Sequence, residues 1–529
     1  MLPPFIFIPT TELKTFTVKL MQSKENPHSF PTSILHAAPA CVKFLGGMFI
    51  ALGMLIIPAS AATIAPTLTV AARLTQETKT VHRYRTVAYS NLLDFTPSKL
   101  LLSTYGGRKD RRETASGFFR TAKTPLGWVL VDPEGYPFLS IGINSVEPYP
   151  DSAGPTPAFV ARYQNTSNWA RQTRELLIDK TGFNTLGCWS DDSEFRKAGI
   201  RLPYCPRWNF LQGYAHARKG YTVAPGTPTW SKRQALPVFD PEFRQYCEAK
   251  GAAIAATKND PWLLGHFTDN EIPFTQEGML KAYLIQPETD PGYRAAKKWL
   301  ADQGKSIETA GPQDDGLFCE FMISHYFAIV SATIKKYDPN HMIIGSRFHG
   351  RPSLQRAVFR AAQPFVDVVT VNYYGKWTPD QNYINEIAAL SGKPIMITEW
   401  YSKADDSGLD NRQGAGFSVA SQSERALHYE NFTIALLRNK NVVGWHWFKY
   451  SDDQEKIGAM HGNQPFTACN KGVISLNLTP WQVLLDSMKK INTRAYQLSD
   501  YLRGLSDPNL PNYSEVTKDS PPLKRLQMH

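Results

Sequence analysis

Eight short apolar runs alternate with helical patterns along most of this chain, and that alternation constrains the fold more than any other feature. Each run is mostly apolar until its last few residues, where polar and aromatic side chains follow. The runs are 138–146, 182–190, a weaker one at 201–208, 263–271, 341–350, 366–374, 394–401 and 442–450. Apolar residues at helical spacing fill the intervals, as at 171–181, 319–338 and 423–440. Eight strands alternating with helices predict an α/β fold, a (β/α)8 TIM barrel.

The barrel pattern begins after a β-rich stretch, 117–140, which contains the turn sequence Asp-Pro-Glu-Gly at 132–135. We therefore predict a short N-terminal β-hairpin segment at the start of a catalytic domain that spans 117–505. Residues 62–116 are rich in Thr, Arg and Ser and have weak periodicity, so we interpret them as a linker or capping segment. Residues 506–529 are predicted to be a flexible C-terminal tail.

Residues 41–62 have the pattern of an export signal, a lysine and an apolar run followed by Ala59-Ser60-Ala61. The run is shorter than the roughly 20 apolar residues of a membrane span. Since residues 1–40 precede it, two alternatives stay open: translation starts at an internal methionine, such as Met21 or Met48, or the segment is an uncleaved anchor. We predict that residues 1–61 are a signal peptide or N-terminal anchor with an upstream extension. The protein is then exported, secreted or periplasmic, and a membrane is a partner only if residues 41–62 are retained.

Composition and charge argue against several classes of protein. The formal net charge is +11, but the densest basic stretch, 108–112, is most simply a solvated loop. Helix-turn-helix, zinc-finger and RNA-binding signatures do not accompany it, so nucleic acid is not predicted as a partner. The six cysteines have no CxxC or CxxH spacing, which argues against a zinc site and a disulfide scaffold, although a Cys188–Cys205 bridge stays open for an exported protein.

Two glutamates at run ends carry the strongest functional signal. Glu271 ends the fourth run and Glu399 the seventh, so in a barrel they face each other across the mouth, where TIM-barrel active sites lie. Strict alternation along 395–399 points Glu399 into the barrel. Alternation would send Asn270 and Glu271 to opposite faces, so both reach the site only if a bulge or a strand-end twist re-aims one of them.

Two carboxyl groups about 5 Å apart are what a retaining glycosidase requires, one to protonate the leaving oxygen and one to attack the anomeric carbon. We predict Glu271 as the acid/base and Glu399 as a nucleophile kept ionised by hydrogen bonds, with Tyr373 and Tyr374 as donors to it. Asn270 is predicted to donate to a sugar 2-hydroxyl. The candidate substrate-binding residues are Asn144, Trp189, Asn270, Arg347, His349, Tyr373, Tyr374, Trp400, Trp445, Trp447 and Lys449.

Simpler explanations of the same residues stay open. Either glutamate alone is also compatible with a structural ion pair to Arg347 or Lys449. The tryptophans at 400, 445 and 447 fit a packed core as well as a sugar-stacking surface. His266, His349 and His446 come from different strands, without HxH or HExxH spacing, so neither a metal nor another cofactor is predicted.

Longer stretches resemble a known family. The pairs Asn270-Glu271 and Glu399-Trp400 resemble those of the large clan of retaining (β/α)8 glycoside hydrolases. The stretches similar to β-agarases of glycoside hydrolase family 50 are GWVLVDPEGYPFLSIGINSV (127–146), HFTDNEI (266–272), TEWYSKADDSG (398–408), QGAGF (413–417) and NFTIALLRNKNVVGWHWFKYSDD (431–453). The likeness covers most of 117–495.

The resemblance implies a glycosidase that hydrolyses β-1,4 linkages of agarose or neoagaro-oligosaccharides, with Glu271 as acid/base, Glu399 as nucleophile and no metal. Its partner is then a polysaccharide or oligosaccharide. Family members often carry a substantial N-terminal carbohydrate-binding domain, for which residues 62–116 leave too little room. Two alternatives stay open: hydrolysis of another β-galactan or β-glycan, and a non-catalytic glycan-binding barrel. The Gly- and Asp-rich loop 402–417 is predicted to fold over the substrate as a lid.

Overall fold

Parallel β-strands whose side chains are buried on both faces organise the chain. The computed structural model describes residues 67–74, 80–150, 154–218, 235–274, 278–349, 356–461 and 464–504, all within one unit, Ser60–His529. The strands are β1 (Leu68–Arg73), β2 (His82–Thr86), β3 (Arg120–Thr124), β4 (Gly127–Val131), β5 (Pro137–Phe138), β6 (Ser140–Ile143), β7 (Thr185–Leu186), β8 (Gly265–His266), β9 (Met342–Ile343), β10 (Phe348–His349), β11 (Val369–Asn372), β12 (Ile395–Glu399), β13 (Ser402–Ala404), β14 (Phe417–Val419), β15 (Val442–Trp447), β16 (Lys456–His461) and β17 (Gln464–Phe466).

Helices fill most of the intervals between the parallel strands. They are α1 (Pro157–Tyr163), α2 (Thr166–Arg174), α3 (Asp192–Lys197), α4 (Phe210–Ala217), α5 (Pro241–Glu248), α6 (Gly251–Ala255), α7 (Met279–Leu284), α8 (Pro291–Asp302), α9 (Pro312–Tyr337), α10 (Arg356–Ala362), α11 (Gln381–Ser391), α12 (Gln422–Arg438), α13 (Gln482–Asn492) and α14 (Ala495–Gly504). A π-helical turn at Glu175–Lys180 extends α2, and 3-10 turns lie at Tyr89–Asn91, Pro237–Phe239 and Asp405–Ser407.

The largest sheet is parallel throughout and has the strand order β10-β11-β12-β15-β6-β7. Parallel bridges Leu186↔Tyr204 and Tyr204↔Leu263 continue from β7 towards β8, and β8 pairs in parallel with β9. Every residue of β6, β11, β12 and β15 is buried, which explains why these runs are almost continuously apolar in the sequence. The predicted α/β class is confirmed, and the run at 201–208 contributes bridges instead of a strand.

The longest helix, α9, is a core helix. By length and composition α9 also meets the criterion for a membrane span. Its residues Phe318, Met322 and Phe327 are fully buried in the main hydrophobic cluster, and the helix packs against α10. Pro at its first turn, acidic residues near that end and Lys335 and Lys336 in the last turn suit the helix dipole.

The segment before the barrel pattern is more structured than a linker. Strands β1 and β2 form an antiparallel hairpin, and β1 pairs with β14 in a four-stranded sheet of order β13-β14-β1-β2. Arg73 also forms a 2.8 Å ion pair with Asp405. Because β13 and β14 follow Glu399 in the chain, this part of residues 62–116 pairs with the loop after Glu399.

The predicted β-hairpin segment lies within the described residues, whereas the two predicted terminal segments do not. Strands β3, β4 and β5 form a small antiparallel sheet, and the turn at 132–135 joins β4 to β5. The export segment within 1–61 and the tail at 506–529 lie outside the described residues.

The cysteines that the structure describes, Cys188, Cys205, Cys247, Cys319 and Cys469, are buried free thiols. The Cys188–Cys205 bridge that the sequence left open is therefore not formed. Burial raises the pKa of both thiols, so neither is poised as a thiolate.

Candidate active site

A local irregularity after β8 brings Asn270 and Glu271 to the same place. Glu271 has a left-handed backbone with φ +50°, rare for a residue other than glycine, and its amide donates to the Arg347 carbonyl at 3.2 Å. As a result, one side-chain amide contacts both residues: Asn372 Nδ2 donates to Asn270 Oδ1 at 3.1 Å and to Glu271 Oε1 at 3.0 Å. The predicted strand-end irregularity is confirmed.

The neighbouring Asp269 points elsewhere. Its buried carboxylate accepts the amides of Leu211 and Gln212, each at 3.1 Å, and the Tyr326 hydroxyl at 2.6 Å. The two amides belong to the first turn of α4, whose unpaired N–H groups favour an anion. Burial raises the pKa of Asp269, and these hydrogen bonds oppose the rise. Asp269 therefore anchors α4 beside the site.

Glu399, the last residue of β12, is held by two side chains. Arg347 NH2 lies 2.9 Å from Oε1, and the Tyr374 hydroxyl donates to Oε2 at 2.8 Å. Burial nevertheless raises the pKa of Glu399 to about 7, with the Arg347 charge and the Tyr374 hydrogen bond opposing and Glu271 adding to the rise. Burial thus outweighs the hydrogen bonds expected to keep this carboxyl ionised, and the carboxylate dominates only above about pH 7.

Arg347 links the two glutamate strands. The side chain is fully buried; NH1 donates to Asn270 Oδ1 at 2.7 Å, and NH2 donates to the Thr398 carbonyl at 3.0 Å. Its guanidinium also lies 4.2 Å from the centre of the Trp189 ring. The ion pair to Arg347 that the sequence left open for a glutamate is therefore present at Glu399. Asn270, Glu271, Arg347, Asn372 and Glu399 are termed the glutamate cluster.

Only one of the two predicted tyrosines reaches the nucleophile candidate. Tyr374 does, as described above, but the Tyr373 hydroxyl accepts the Asp380 amide at 2.8 Å and its ring packs on Phe432. Successive side chains at a strand end point to opposite sides, so Tyr373 turns towards the helical layer. The predicted hydrogen bond from the Tyr373 hydroxyl to the Glu399 carboxyl is wrong, although the Tyr373 main-chain amide donates to the Glu399 carbonyl at 2.7 Å.

The tryptophans at 400, 445 and 447 belong to the core. All three are at most 1% exposed. Trp400 stacks on Phe432 at 3.9 Å between ring centres, Trp445 donates to the Tyr429 hydroxyl, and Trp447 donates to the Lys471 carbonyl. Of the two interpretations left open, the packed core is correct, because none of these rings presents a face to a ligand.

The remaining predicted residues lie around the cluster at different depths. Asn144 is fully buried and donates to the Thr398 carbonyl at 2.8 Å, so it is tied to β12 next to Glu399. Trp189 is half-buried against Arg347, and His349 is half-buried at the end of β10. Lys449 pairs with Asp453 at 2.7 Å.

One group of potential metal ligands was not foreseen. His266, Asp338 and His341 are buried together, with ligand atoms within 4.8 Å of one another. Hydrogen bonds already use these atoms: Asp338 Oδ2 contacts His266 Nε2 at 2.9 Å and His341 Nδ1 at 2.7 Å. Trp208 and the Asp260 carbonyl occupy the other ring nitrogens. The trio is thus a satisfied polar network. His446 is also buried, and its Nε2 lies 2.9 Å from Ser140 Oγ.

Sequence reasoning missed Asn372. It is the last residue of β11, where the register to β12 shifts between Val371 and Asn372. The sequence offers one signal for it, a polar side chain at the end of an apolar run, directly before two tyrosines.

Comparisons with known proteins agree with the motifs. No family model matches the chain. β-Agarase B and β-agarase A of Vibrio sp. (strain JT0107) are each 26% identical to it, over 75% and 74% of this chain. The chain spans about half the length of these relatives, 50% and 48%.

Solved structures agree over a larger share. The structure of BpGH50 has a TM-score of 0.72 and 29% identity, covering 84% of this chain and 98% of its own. The agarase AgWH50C has a TM-score of 0.62 and 25% identity, covering 76% and 67%. The likeness to family 50 β-agarases that the motifs indicate is therefore confirmed in sequence and in structure.

Proposed function

We propose that this chain is a retaining glycoside hydrolase that cleaves β-1,4 linkages in agarose or neoagaro-oligosaccharides. The observation that carries the proposal is the glutamate cluster, in which two carboxyls from different strands meet through Arg347 and Asn372. The relatives named as β-agarases supply the substrate class. A non-catalytic glycan-binding barrel would not need this second carboxyl.

The two carboxyls differ in a way that suits two displacement steps. Glu399, buried against Arg347, attacks the anomeric carbon while the bond to the leaving oxygen breaks, and the half-buried Glu271 transfers its proton to that oxygen. In the second step Glu271 takes a proton from water, the resulting hydroxide attacks the same carbon, and the bond to Glu399 breaks. Each carboxyl returns to its starting state.

Asn270 is oriented for the predicted contact to the sugar 2-hydroxyl. Its Oδ1 accepts from both Arg347 and Asn372, which fixes which end of the amide is oxygen. Nδ2 is consequently on the opposite side, as a donor to substrate. A donor at the 2-hydroxyl gains strength as positive charge develops on the sugar ring.

We also propose that the parallel strands close into a (β/α)8 barrel with the glutamate cluster at its mouth. The order β10-β11-β12-β15-β6-β7 is extended by parallel bridges at Tyr204 to Leu263, next to β8. Strand β8 pairs with β9, and β9 lies just before β10 in the chain. This circular order of neighbours supports closure.

The loop 402–417 is anchored instead of hanging free as a lid. Lys403 is buried, and its Nζ donates to the carbonyls of Asn411 at 3.0 Å and Gln413 at 2.6 Å. We propose that the loop is a fixed wall of the sugar site, with Tyr374, Trp189, His349 and Lys449 as the side chains nearest the substrate.

For the rest of the chain we propose a catalytic domain at 117–505, with residues 62–116 as its cap. We propose export through the signal pattern at 41–62, since agarose is a polymer outside the cell.

The test is release of reducing sugar by the full chain from agarose, neoagaro-oligosaccharides, carrageenan, β-galactan and β-glucan. Glu271→Gln and Glu399→Gln should each lose nearly all activity while remaining folded. Glu320→Gln is the matched control, because Glu320 forms an exposed pair with Arg360. Activity on another glycan alone would overturn the substrate and keep the chemistry, whereas wild-type activity in either glutamine variant would overturn the site.

A further inference from the structure

Asn372, like Arg347, contacts both the residues after β8 that include Glu271 and the strand that carries Glu399. Its two amide hydrogens go to Asn270 Oδ1 and Glu271 Oε1, and its Oδ1 accepts from Thr398 Oγ1 at 2.9 Å. Thr398 immediately precedes Glu399 on β12. Every hydrogen-bonding atom of this buried amide is therefore engaged, in one orientation only.

We propose that Asn372 is a positioning residue that holds Glu271 and Asn270 in a fixed orientation relative to Glu399 and directs the proton of the acid to Glu271 Oε2. This inference rests on the proposed glycoside hydrolysis. It adds a residue that acts through the two groups that touch the substrate.

The hydrogen-bond donor explains the choice of oxygen. A carboxyl oxygen that accepts an N–H is the better acceptor and the poorer site for a proton, so the proton occupies the other oxygen. Loss of the donor removes this preference, so that the proton of Glu271 is no longer directed to Oε2 by Asn372. A general acid that is misplaced by about 1 Å loses on the order of a hundredfold in rate.

The orientation of the Asn270 side-chain amide also depends on Asn372. Arg347 and Asn372 both require an oxygen at Asn270 Oδ1, and the left-handed backbone at Glu271 places the two side chains next to each other. Removal of one of the two donors weakens that requirement. Asn372 therefore affects both the proton donor and the proposed 2-hydroxyl contact.

The experiment compares Asn372→Ala and Asn372→Asp with the same changes at Asn431. Asn431 is an equally buried amide with three hydrogen bonds, to the Val87 amide, the Trp377 carbonyl and the Thr378 hydroxyl, none of them in the glutamate cluster. The readouts are thermal unfolding and kcat/KM from pH 5 to 10 on a neoagaro-oligosaccharide. A merely structural role predicts the same behaviour at both positions.

We expect Asn372→Ala to lower kcat/KM by roughly ten- to a hundredfold, mainly through kcat. Asn372→Asp should move the alkaline limb of the profile to higher pH by about one to three units, since a carboxylate beside Glu271 disfavours loss of its proton. The Asn431 variants should unfold at a lower temperature than the parent but keep the acid and alkaline limbs of its pH profile. An unmoved alkaline limb in a folded, active Asn372→Asp would overturn the inference.

The proposed function can fail separately. If the parent releases sugar from none of the glycans, the activity proposal is wrong. The contact between Asn372 and Glu271 is then tested by carbon-13 NMR titration of the Glu271 carboxyl. The Glu271 signal is assigned as the one that is missing from the spectrum of Glu271→Gln. A titration that is unchanged in both Asn372 variants would overturn the positioning role as well.

Discussion

Replacing Arg347 by methionine removes the cation that pairs with Glu399 while keeping a side chain long enough to fill much of the space. Arg347 NH2 lies 2.9 Å from Glu399 Oε1, and the guanidinium is fully buried. At an effective dielectric constant of about 20, two unit charges at that separation interact by roughly 6 kcal/mol, an upper bound before the site relaxes. Neighbouring charges in proteins typically shift a carboxyl by about one to three pH units.

The assay is kcat/KM against pH on a neoagaro-oligosaccharide. The pKa of Glu399 is about 7, so the acid limb of the parent should fall near pH 7, because the nucleophile must be ionised. In Arg347→Met we expect that limb to move upward by about one to three units. The direction follows from the sign of the charge: without the cation, the protonated carboxyl is favoured to higher pH.

Two controls separate this effect from damage to the fold. Arg347→Lys keeps the positive charge and should leave the limb within about one unit of the parent, although it loses the second contact to Asn270. Arg360→Met removes an ion pair outside the site, in which Arg360 NH2 lies 2.8 Å from Glu320 Oε2. This variant should change neither the acid nor the alkaline limb of the pH profile. If Arg347→Met is folded by thermal unfolding and its acid limb stays where the parent's is, the electrostatic account of Glu399 is refuted.

Three further outcomes are expected. The pKa of Glu399 is raised from its ordinary 4.5 to about 7, so between these pH values the folded protein binds more protons than the unfolded protein. The free energy of unfolding should therefore fall by up to roughly 3 kcal/mol as the pH rises through this range. Urea unfolding of Glu399→Gln should lack this pH-dependent loss. A methyl group at Gly142 would press on the buried His446 ring, so Gly142→Ala should lower the free energy of unfolding in urea by about 1–3 kcal/mol. At Gly154 a Cβ meets nothing within 4 Å, so Gly154→Ala should change this free energy little, and equal losses in the two variants would contradict the packing. Trp445→Phe should lower the unfolding temperature and leave KM within about twofold, because the ring is fully buried; a large rise in KM would return it to the sugar site.

The fold class could be predicted because burial on both faces leaves a direct trace in the sequence. Runs such as 366–374 and 394–401 are apolar almost throughout and correspond to β11 and β12. The run at 201–208 has two prolines within it, and the structure places only bridges there. Proline has no amide hydrogen to donate, which limits how far a strand can extend.

The two charged residues of the site could be predicted from the sequence, but the directions in which its aromatic side chains point could not. Glu271 and Glu399 could be identified because a carboxylate at the end of a buried strand needs a reason to be there. Period-two alternation could not say which of Tyr373 and Tyr374 turns inward, since the register shifts between Val371 and Asn372 just before them. Trp400 resembled a sugar platform in the sequence, but only the packing of α12 shows that Phe432 covers its face.

The measurement that tests the central claim most directly is proton NMR of the anomeric signal in the first minutes of hydrolysis of neoagarotetraose by the full chain. If Glu399 attacks and Glu271 protonates, the new reducing end forms as the β-anomer, with the configuration of the cleaved linkage, and the α-anomer grows in later by mutarotation. Initial appearance of the α-anomer would show inversion and contradict a nucleophilic role for Glu399.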